Sequence, residues 1–518
     1  MSWQLHGPGL LFTAAHIMLI DGRSITSDVH LSSDVCLVGC GLAGLTLASE
    51  MIDTRLDVIA LESGLVGCDA LAQDRNHGDV RGDPYVGLRP SRCRQVGGTI
   101  NIWNTPVRDG LGAKYVPLDA RDFKEPGDNA PGWPLSHEDL LPYYVRAQSV
   151  CRLGPFEYSA YQWQTSRCQP LDLAVGTLQS HVYQFGSRDV FLKSKTDAII
   201  GAANIRVVAG ATVCAMSPGS DGTVKHIRAV TSAGATIKVS ARIFVLSAGA
   251  IENARLLLVS RRVDSAFLRP SSYWIGRCFM EHPRDSALVL IPHSEELYAD
   301  AAFYDAHDTH EGVVVCGRLG PSDSLAAETG VPNFSVSLQP MSRYGYLHRA
   351  MQQLGWRSRA LGYGWSQLRN PARVLNGLRL LINLEQRPVR DNRIVLSSSE
   401  DDLGVPRPAL CWTWKATTES ALREIRDVLK VALESSGLGQ VRMSGDRVPD
   451  ANAHHHAGTT RMALVPEDGI VDTDSRAHGS DNLYLTGASV FPTAGYANPA
   501  LTIVALALRL SDHLKSRL

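Results

Sequence analysis

The 518-residue chain has almost no net charge of either sign, with 51 Lys and Arg against 52 Asp and Glu. Nothing in its composition therefore draws it to nucleic acid or to an anionic membrane surface, and partners have to be argued from local sites. Paired cysteines are missing as well. The ten cysteines are scattered, only Cys36 and Cys40 lie close in sequence, and no CxxC occurs. That argues against a zinc site or a disulfide framework and points to a reducing, cytoplasmic setting. Long apolar runs are also lacking. The opening MSWQLHGPGLLFTAAHIMLIDGRS has no basic start, and His16 breaks its apolar run. Neither a leader peptide nor a membrane span is expected there, and Met18 is a second candidate start. Internal repeats and low-complexity tracts are absent. What is present is 44% apolar residues in a chain too long for one simple core, which predicts a globular, soluble protein of two domains.

The most informative stretch is DVCLVGCGLAGLTLASEM, from Asp34. It reads as a short apolar strand, a turn through Gly39, Gly41 and Gly44, and a helix. In such a turn the first glycine permits the bend, the second lets backbone approach a pyrophosphate, and the third allows the helix to pack on the strand. The helix N-terminus then faces the phosphates. A second strand, LDVIALESG, ends in Glu62, 23 residues after Gly39, where an acid accepts hydrogen bonds from the adenosine ribose. Together these predict a dinucleotide-binding unit, with a Gly-rich packing turn as the plainer alternative. Further on, ARIFVLSAGAIENARLLLVS repeats the order strand, small-residue turn, helix, and its strand is predicted to join the same sheet. RQVGGTINIWNTPV carries Gly97 and Gly98, which let backbone lie against a flat or charged ligand. PGWPLSHEDLLPYYVRAQ has Ser136 as an N-cap, Asp139 in the first turn and Pro142 to limit or kink the helix, and carries no chemistry.

Residues from about 285 to 440 have a different texture. GVVVCGRLG and NFSVSLQP alternate like strands of an inserted antiparallel substrate domain. The expected division assigns 1–150, 200–284 and 441–518 to a discontinuous nucleotide-binding domain, and 151–199 and 285–440 to the substrate domain. Between Pro340 and Leu384 lie Arg343, Arg349, Arg357, Arg359, Arg369, Arg373 and Arg379, with no acid among them. They read as a solvated face in preference to a polyanion contact.

Near the C-terminus, ANAHHHAGTTRMA sets His454, His455 and His456 side by side. Metal ligands converge from i and i+4 on a helix or from separate loops, and neighbouring residues in an extended segment diverge, so no metal is expected. A single histidine acting as a base needs only one correctly aimed ring. The tail NLYLTGASVFPTAGYANPALT then runs through a Gly-rich bend into a long apolar helix from about Pro499. Asn498 is thereby set to point at a ligand from a helix N-terminus.

Taken together, GCGLAG with Glu62, the VGG of residues 96–98, LSAGAIENARLLL, HHAGTTRM of residues 455–462 and VFPTAGYANPALT resemble the glucose-methanol-choline (GMC) flavoprotein oxidoreductases. The resemblance runs from about residue 33 to the C-terminus and is weakest between about 285 and 440. It implies an α/β fold, α+β overall, with a Rossmann-type FAD-binding domain and a smaller antiparallel-sheet substrate domain, as in the p-hydroxybenzoate-hydroxylase-like architecture. It implies FAD held by Gly39, Gly41, Leu42, Ala43, Gly44, Glu62, Ser63, Gly97, Gly98, Asn101, Val213, Ala248, Gly487, Ala488, Asn498 and Pro499. It puts the catalytic base at His455 and the second catalytic position at Asn498, with backbone amides near Asn498 and Asn101 facing the reduced flavin.

The His and Asn pair is most similar to the pyranose oxidase branch and its bacterial relatives acting on sugars and glycosides. Fungal pyranose oxidases link FAD to a histidine in VGG-x-S-T-His-Trp; this chain has Ile102 at that place, so its FAD is expected to be noncovalent. The function implied is oxidation of a secondary hydroxyl of a sugar or glycoside to a ketone, with oxygen or a quinone as electron acceptor. Rival readings are a dehydrogenase of a hydrophobic or natural-product alcohol with a quinone acceptor, a nonredox flavoprotein lyase, and a protein that holds FAD without turnover.

Overall fold

The computed structural model describes residues 19–108, 110–124, 132–219, 222–309, 311–343, 364–368, 370–445 and 448–518. Met18 and four of the seven clustered arginines, Arg349, Arg357, Arg359 and Arg369, lie outside them.

The strand before the first glycine turn, Val29–Val38, buries Val35, Cys36, Leu37 and Val38 in succession. Its neighbour Val58–Glu62 buries all five residues. Unbroken apolar runs of this kind suit central parallel strands covered on both faces. They sit in an eight-stranded sheet ordered Leu19–Asp21, Ile205–Ala209, Val58–Glu62, Val29–Val38, Thr236–Leu246, Val224–Thr231 and Ala211–Pro218, with Leu483–Leu485 also beside Thr236–Leu246. The two glycine-turn strands share this sheet, as expected, and they lie side by side and parallel, Val35 opposite Ile243 and Val38 opposite Leu246. Both turns therefore open at the same edge of the sheet. The helices Leu42–Glu50, Ala250–Val263 and Ala500–Arg517 follow from that edge.

The second layer is a nine-stranded sheet in the order Gly439–Met443, Arg284–Pro292, Leu375–Leu384, Phe334–Ser342, Val314–Pro321, Leu178–Ser187, Gly110–Tyr115 and Thr105–Val107, with His307–Asp308 beside Val314–Pro321. Its pairings are antiparallel throughout. A third sheet of three strands joins Arg393–Glu400 and Pro406–Trp412 to Asp79–Gly82. The nine-stranded and the three-stranded sheets both draw strands across the expected division of the chain. Thr105–Val107 and Gly110–Tyr115 pair with the antiparallel sheet, and Pro406–Trp412 pairs with a strand near the N-terminus.

Helix Lys415–Ser435 buries Thr418, Leu422, Ile425, Leu429, Ala432 and Leu433, the stripe of an amphipathic helix packed on one side. Helix His137–Val150 begins at Ser136, whose hydroxyl accepts from the Asp139 amide in a capping box, and runs on through Pro142 to Val150. Of the described arginines in the clustered stretch, Arg343 donates to the Leu375 carbonyl and Arg379 to that of Ser286. Arg373 stands in the last turn of the short helix Pro371–Val374. Among the described residues no helix is long and apolar enough to cross a membrane, and all ten cysteines are free thiols.

Candidate active site

The edge where the glycine turns open borders a cavity of about 1460 Å³ including its mouth. One end is built on backbone. Gly39 takes φ 100, and an added Cβ would lie 2.9 Å from the Ala248 Cα; at Gly44 it would lie 2.0 Å from the Gly39 carbonyl oxygen. Glycine at both positions thus lets helix Leu42–Glu50 press against the turn between the two parallel strands. That helix starts at Gly41 with no side-chain cap and no acid in its first turn, so its free amides face the cavity. Two more helices start on the same space without side-chain caps, Ala250–Val263 after Gly249 and Ala500–Arg517 after Pro499. Three uncapped N-termini around one cavity suit an anionic ligand, and the first lies beside Glu62, as an ADP group requires.

Glu62 is buried and accepts from the amides of Cys40 and Gly64 at 2.9 Å each, one on each carboxylate oxygen. Burial raises its pKa against those bonds. Two of its roughly four lone-pair positions remain for ligand hydroxyls. Ser63 bonds Thr212 and takes a bond from Arg94. The buried Arg255 and the partly buried Arg92 and Arg94 gather on Glu252, whose carboxyl they hold far below the usual range despite its burial.

Of the residues expected from the sequence, Gly39, Gly41, Leu42, Ala43, Glu62, Ser63, Gly98, Val213, Ala248, Gly487, Ala488, His455, Asn498 and Pro499 all line this cavity. Gly44, Gly97 and Asn101 do not, and they brace its wall instead. The Gly97 amide donates to the Cys40 carbonyl at 2.8 Å, and the Asn101 amide is spent on the carbonyls of Val96 and Gly98. Ile102 is 43% exposed at the end of the turn Gly98–Ile102, while Trp103 lines the cavity.

The other end is built from side chains. The segment after the three histidines lies along the last glycine turn, Gly458 N donating to Ala488 O, Thr460 N to Ser489 O and Met462 N to Val490 O. Thr459 bonds the Ala250 carbonyl. Asn253 ties the second glycine turn to the third through the Ala248 amide, the Thr486 carbonyl and the Ser489 hydroxyl. The separate motifs are thus bolted into one frame.

On that frame His455 Nε2 stands 3.1 Å from Asn498 Nδ2. His454 adopts φ 63, so the three histidines are not an extended run. All three border the cavity, yet they take different surroundings. His456 Nε2 bonds the Tyr85 hydroxyl at 2.6 Å, with Phe279 alongside its ring. His454 is half-buried, its Nδ1 without a hydrogen-bond partner among the described residues.

Two functional neighbours, Glu281 and His282, are missed by the sequence reading. Met280 and Ala457 exchange backbone hydrogen bonds, which lays MEHPR beside the histidines. Both oxygens of Glu281, at 2.7 and 2.8 Å, receive the His455 amide. His282 Nδ1 lies 3.0 Å from His455 Nδ1. Burial first, and then His282, Arg284 and the neighbouring histidines, push His455 well below the ordinary histidine value. Burial alone takes His282 down to about 4 against the pull of the Ala494 carbonyl. Both shifts favour the neutral ring, the form a proton acceptor needs. The only advance signal was the Glu-His-Pro run itself, and nothing local connects it to residue 455.

Residues 388–507 match the family model described as GMC oxidoreductase. Over 94% of its length the chain is 24% identical to 6'''-hydroxyparomomycin C oxidase of Streptomyces lividus, covering 92% of that protein. It is 22% identical to the fructose dehydrogenase large subunit of Gluconobacter japonicus, covering 94% of this chain and 98% of the relative. Its fold is similar to the crystal structure of pyridoxine 4-oxidase from Mesorbium loti, with a TM-score of 0.56 at 17% identity over 93% of this chain and 98% of the other.

Proposed function

We propose that this chain, an alcohol oxidoreductase of the GMC type, oxidises a secondary hydroxyl of a sugar or glycoside to a ketone, with His455 as the base and noncovalent FAD as cofactor. The carrying observation is the 3.1 Å approach of His455 Nε2 and Asn498 Nδ2 inside the cavity that also holds Gly39, Gly41 and Glu62. The first two helix N-termini and Glu62 suit the ADP part of FAD, and the third faces the space beside His455 and Asn498. FAD, when bound, supplies the acceptor for the hydride that leaves the carbinol carbon.

An alcohol releases hydride poorly until its hydroxyl proton is withdrawn, so a base has to reach the oxygen. Two polar atoms 3.1 Å apart can share one hydroxyl oxygen, with Asn498 donating to it and His455 Nε2 taking its proton. A neutral His455, which burial favours, is the form able to do so. Asn498 orients the oxygen without competing as a base. The sugar class is supported by the relatives named for fructose and an aminoglycoside. The noncovalent link is supported by Ile102, which has no atom able to bond the flavin and lies outside the cavity wall.

The test is anaerobic bleaching of the bound flavin by a panel of sugars, glycosides and sterols, followed by reoxidation with oxygen and with a quinone dye. Sugars or glycosides should bleach the flavin fastest, and acid precipitation should leave a yellow supernatant. Bleaching by sterols alone would move the reading to a hydrophobic-alcohol dehydrogenase, and flavin kept in the pellet would refute the noncovalent link.

A further inference from the structure

We infer that His282 is a positioning residue: by accepting a hydrogen bond from His455 Nδ1–H it holds His455 in the tautomer whose bare Nε2 faces the substrate hydroxyl. The inference rests on the reading of His455 as base. The two Nδ1 atoms are 3.0 Å apart, so one of them carries the proton and the other accepts it. On the far side of the His455 ring the Asn498 amide nitrogen is a donor at 3.1 Å, which leaves Nε2 as acceptor and Nδ1 as N–H. His282 Nδ1 must then be bare and its proton sits on Nε2, which has no hydrogen-bond partner among the described residues.

The chain of donors runs one way, from Asn498 into His455 at one end and from His455 into His282 at the other. Its pieces come from three separate parts of the sequence, the VFPTAGYANP bend, the histidine run and the Glu-His-Pro turn, locked by the Met280–Ala457 bridge. The ionisable groups around this pair are Glu281, on the His455 amide, the Arg284–Asp450 ion pair, and His454 and His456, which both act on His455. None of them reaches His455 Nδ1. Once that nitrogen loses its acceptor the proton can move to Nε2, where it blocks proton abstraction, and the imidazolium formed during reaction loses the partner that stabilises it.

Three variants separate this from a packing role. In His282→Asn the amide oxygen falls near the place of Nδ1 and can accept; in His282→Leu and His282→Phe nothing can. Anaerobic flavin reduction across pH, with flavin content and thermal midpoint measured on the same samples, is the readout. The Asn variant should stay within about threefold of wild type. The apolar variants should drop the high-pH plateau by about 10–10²-fold, below the roughly 10⁴-fold that loss of a charged histidine partner can cost, at unchanged flavin content. Equal plateaus in the Asn variant and in either folded apolar variant would overturn the inference. The parent reading fails separately: near-normal reduction by His455→Ala removes the base itself, whereas collapse in His455→Ala with no distinction among the His282 variants removes only the role of His282.

Discussion

At one end of the cavity the groups facing the ligand are backbone amides, presented by helix Leu42–Glu50 after a turn whose Gly39 and Gly44 leave no room for a side chain. At the other end they are side chains, His455 and Asn498, held by Glu281, His282 and the 488–490 turn. The backbone end takes its glycine turn and its acid from the contiguous stretch Gly39 to Glu62, closes on the Ser247–Ala248 turn, and depends on shape. The side-chain end is assembled from segments more than two hundred residues apart and depends on where protons sit. Damage to the first should therefore appear as lost flavin, and damage to the second as slow chemistry with flavin retained.

The sharpest separation comes from His455→Ala. Flavin reduction should fall by roughly 10²–10⁴-fold, as for a lost general base, while the visible flavin spectrum persists. His454→Ala and His456→Ala should instead alter stability or substrate affinity, because His456 is engaged with Tyr85 and His454 has no contact with Asn498 among its bonds. Stopped-flow bleaching under anaerobic conditions measures all three. A collapse in His454→Ala comparable with that in His455→Ala would mean that the wrong ring has been chosen.

Gly44→Ala tests the opposite end. Its new Cβ would meet the Gly39 carbonyl oxygen at 2.0 Å and Ser247 Oγ at 2.9 Å, so the helix has to back away from the turn. Overpacking of this kind costs about 1–3 kcal/mol, equivalent to roughly fivefold to 150-fold weaker flavin binding if it falls wholly on the bound state. Titration of the apoprotein with FAD reads it directly. Addition of excess FAD should restore the bleaching rate, which would never happen for His455→Ala.

Asn498→Ala has a smaller expected effect. It removes one hydrogen bond of about 0.5–1.5 kcal/mol, so reduction should slow by roughly two- to tenfold, with proton removal by His455 still available. A loss as large as that of His455→Ala would give Asn498 a share in the proton transfer itself.

The same contrast explains what could be read in advance. Gly39, Gly41, Gly44 and Glu62 are legible because the phosphate turn is contiguous and its glycine spacing is set by the strand-turn-helix geometry, with Gly44 packed directly on the Gly39 carbonyl. That Val29–Val38 and Thr236–Leu246 share a sheet was legible from two copies of one strand-turn-helix pattern, and their direct parallel pairing came from the fold. Asn498 was picked out by its place before the last helix, but the choice of His455 came through motif resemblance; local chemistry alone left three equivalent histidines, and only the fold distinguishes the ring at Asn498 from the ring at Tyr85. Glu281 and His282 stayed hidden because their function exists solely through the Met280–Ala457 bridge. The seating of Pro406–Trp412 beside Asp79–Gly82 was equally unreadable, since a pairing across more than three hundred residues leaves no trace in either segment's pattern.

Glu281 offers the finest probe of the side-chain end. It is fully buried, and burial pushes its carboxyl up to about 8, against the His455 and His282 amides and Arg284, which pull it down. An acid whose folded pKa lies above its unfolded value, about 4.3, binds more protons folded than unfolded between the two. Its contribution to stability is therefore fully present below about pH 4 and is lost as pH rises through about 8. Glu281→Gln keeps one carbonyl oxygen for the His455 amide and cannot ionise. Relative to wild type, the variant's thermal midpoint should accordingly rise by a few degrees between pH 6 and pH 9, whatever its offset at pH 6. A difference constant across that range would mean that Glu281 carries its charge in the folded protein at neutral pH, and that the His455 amide is held by a full carboxylate.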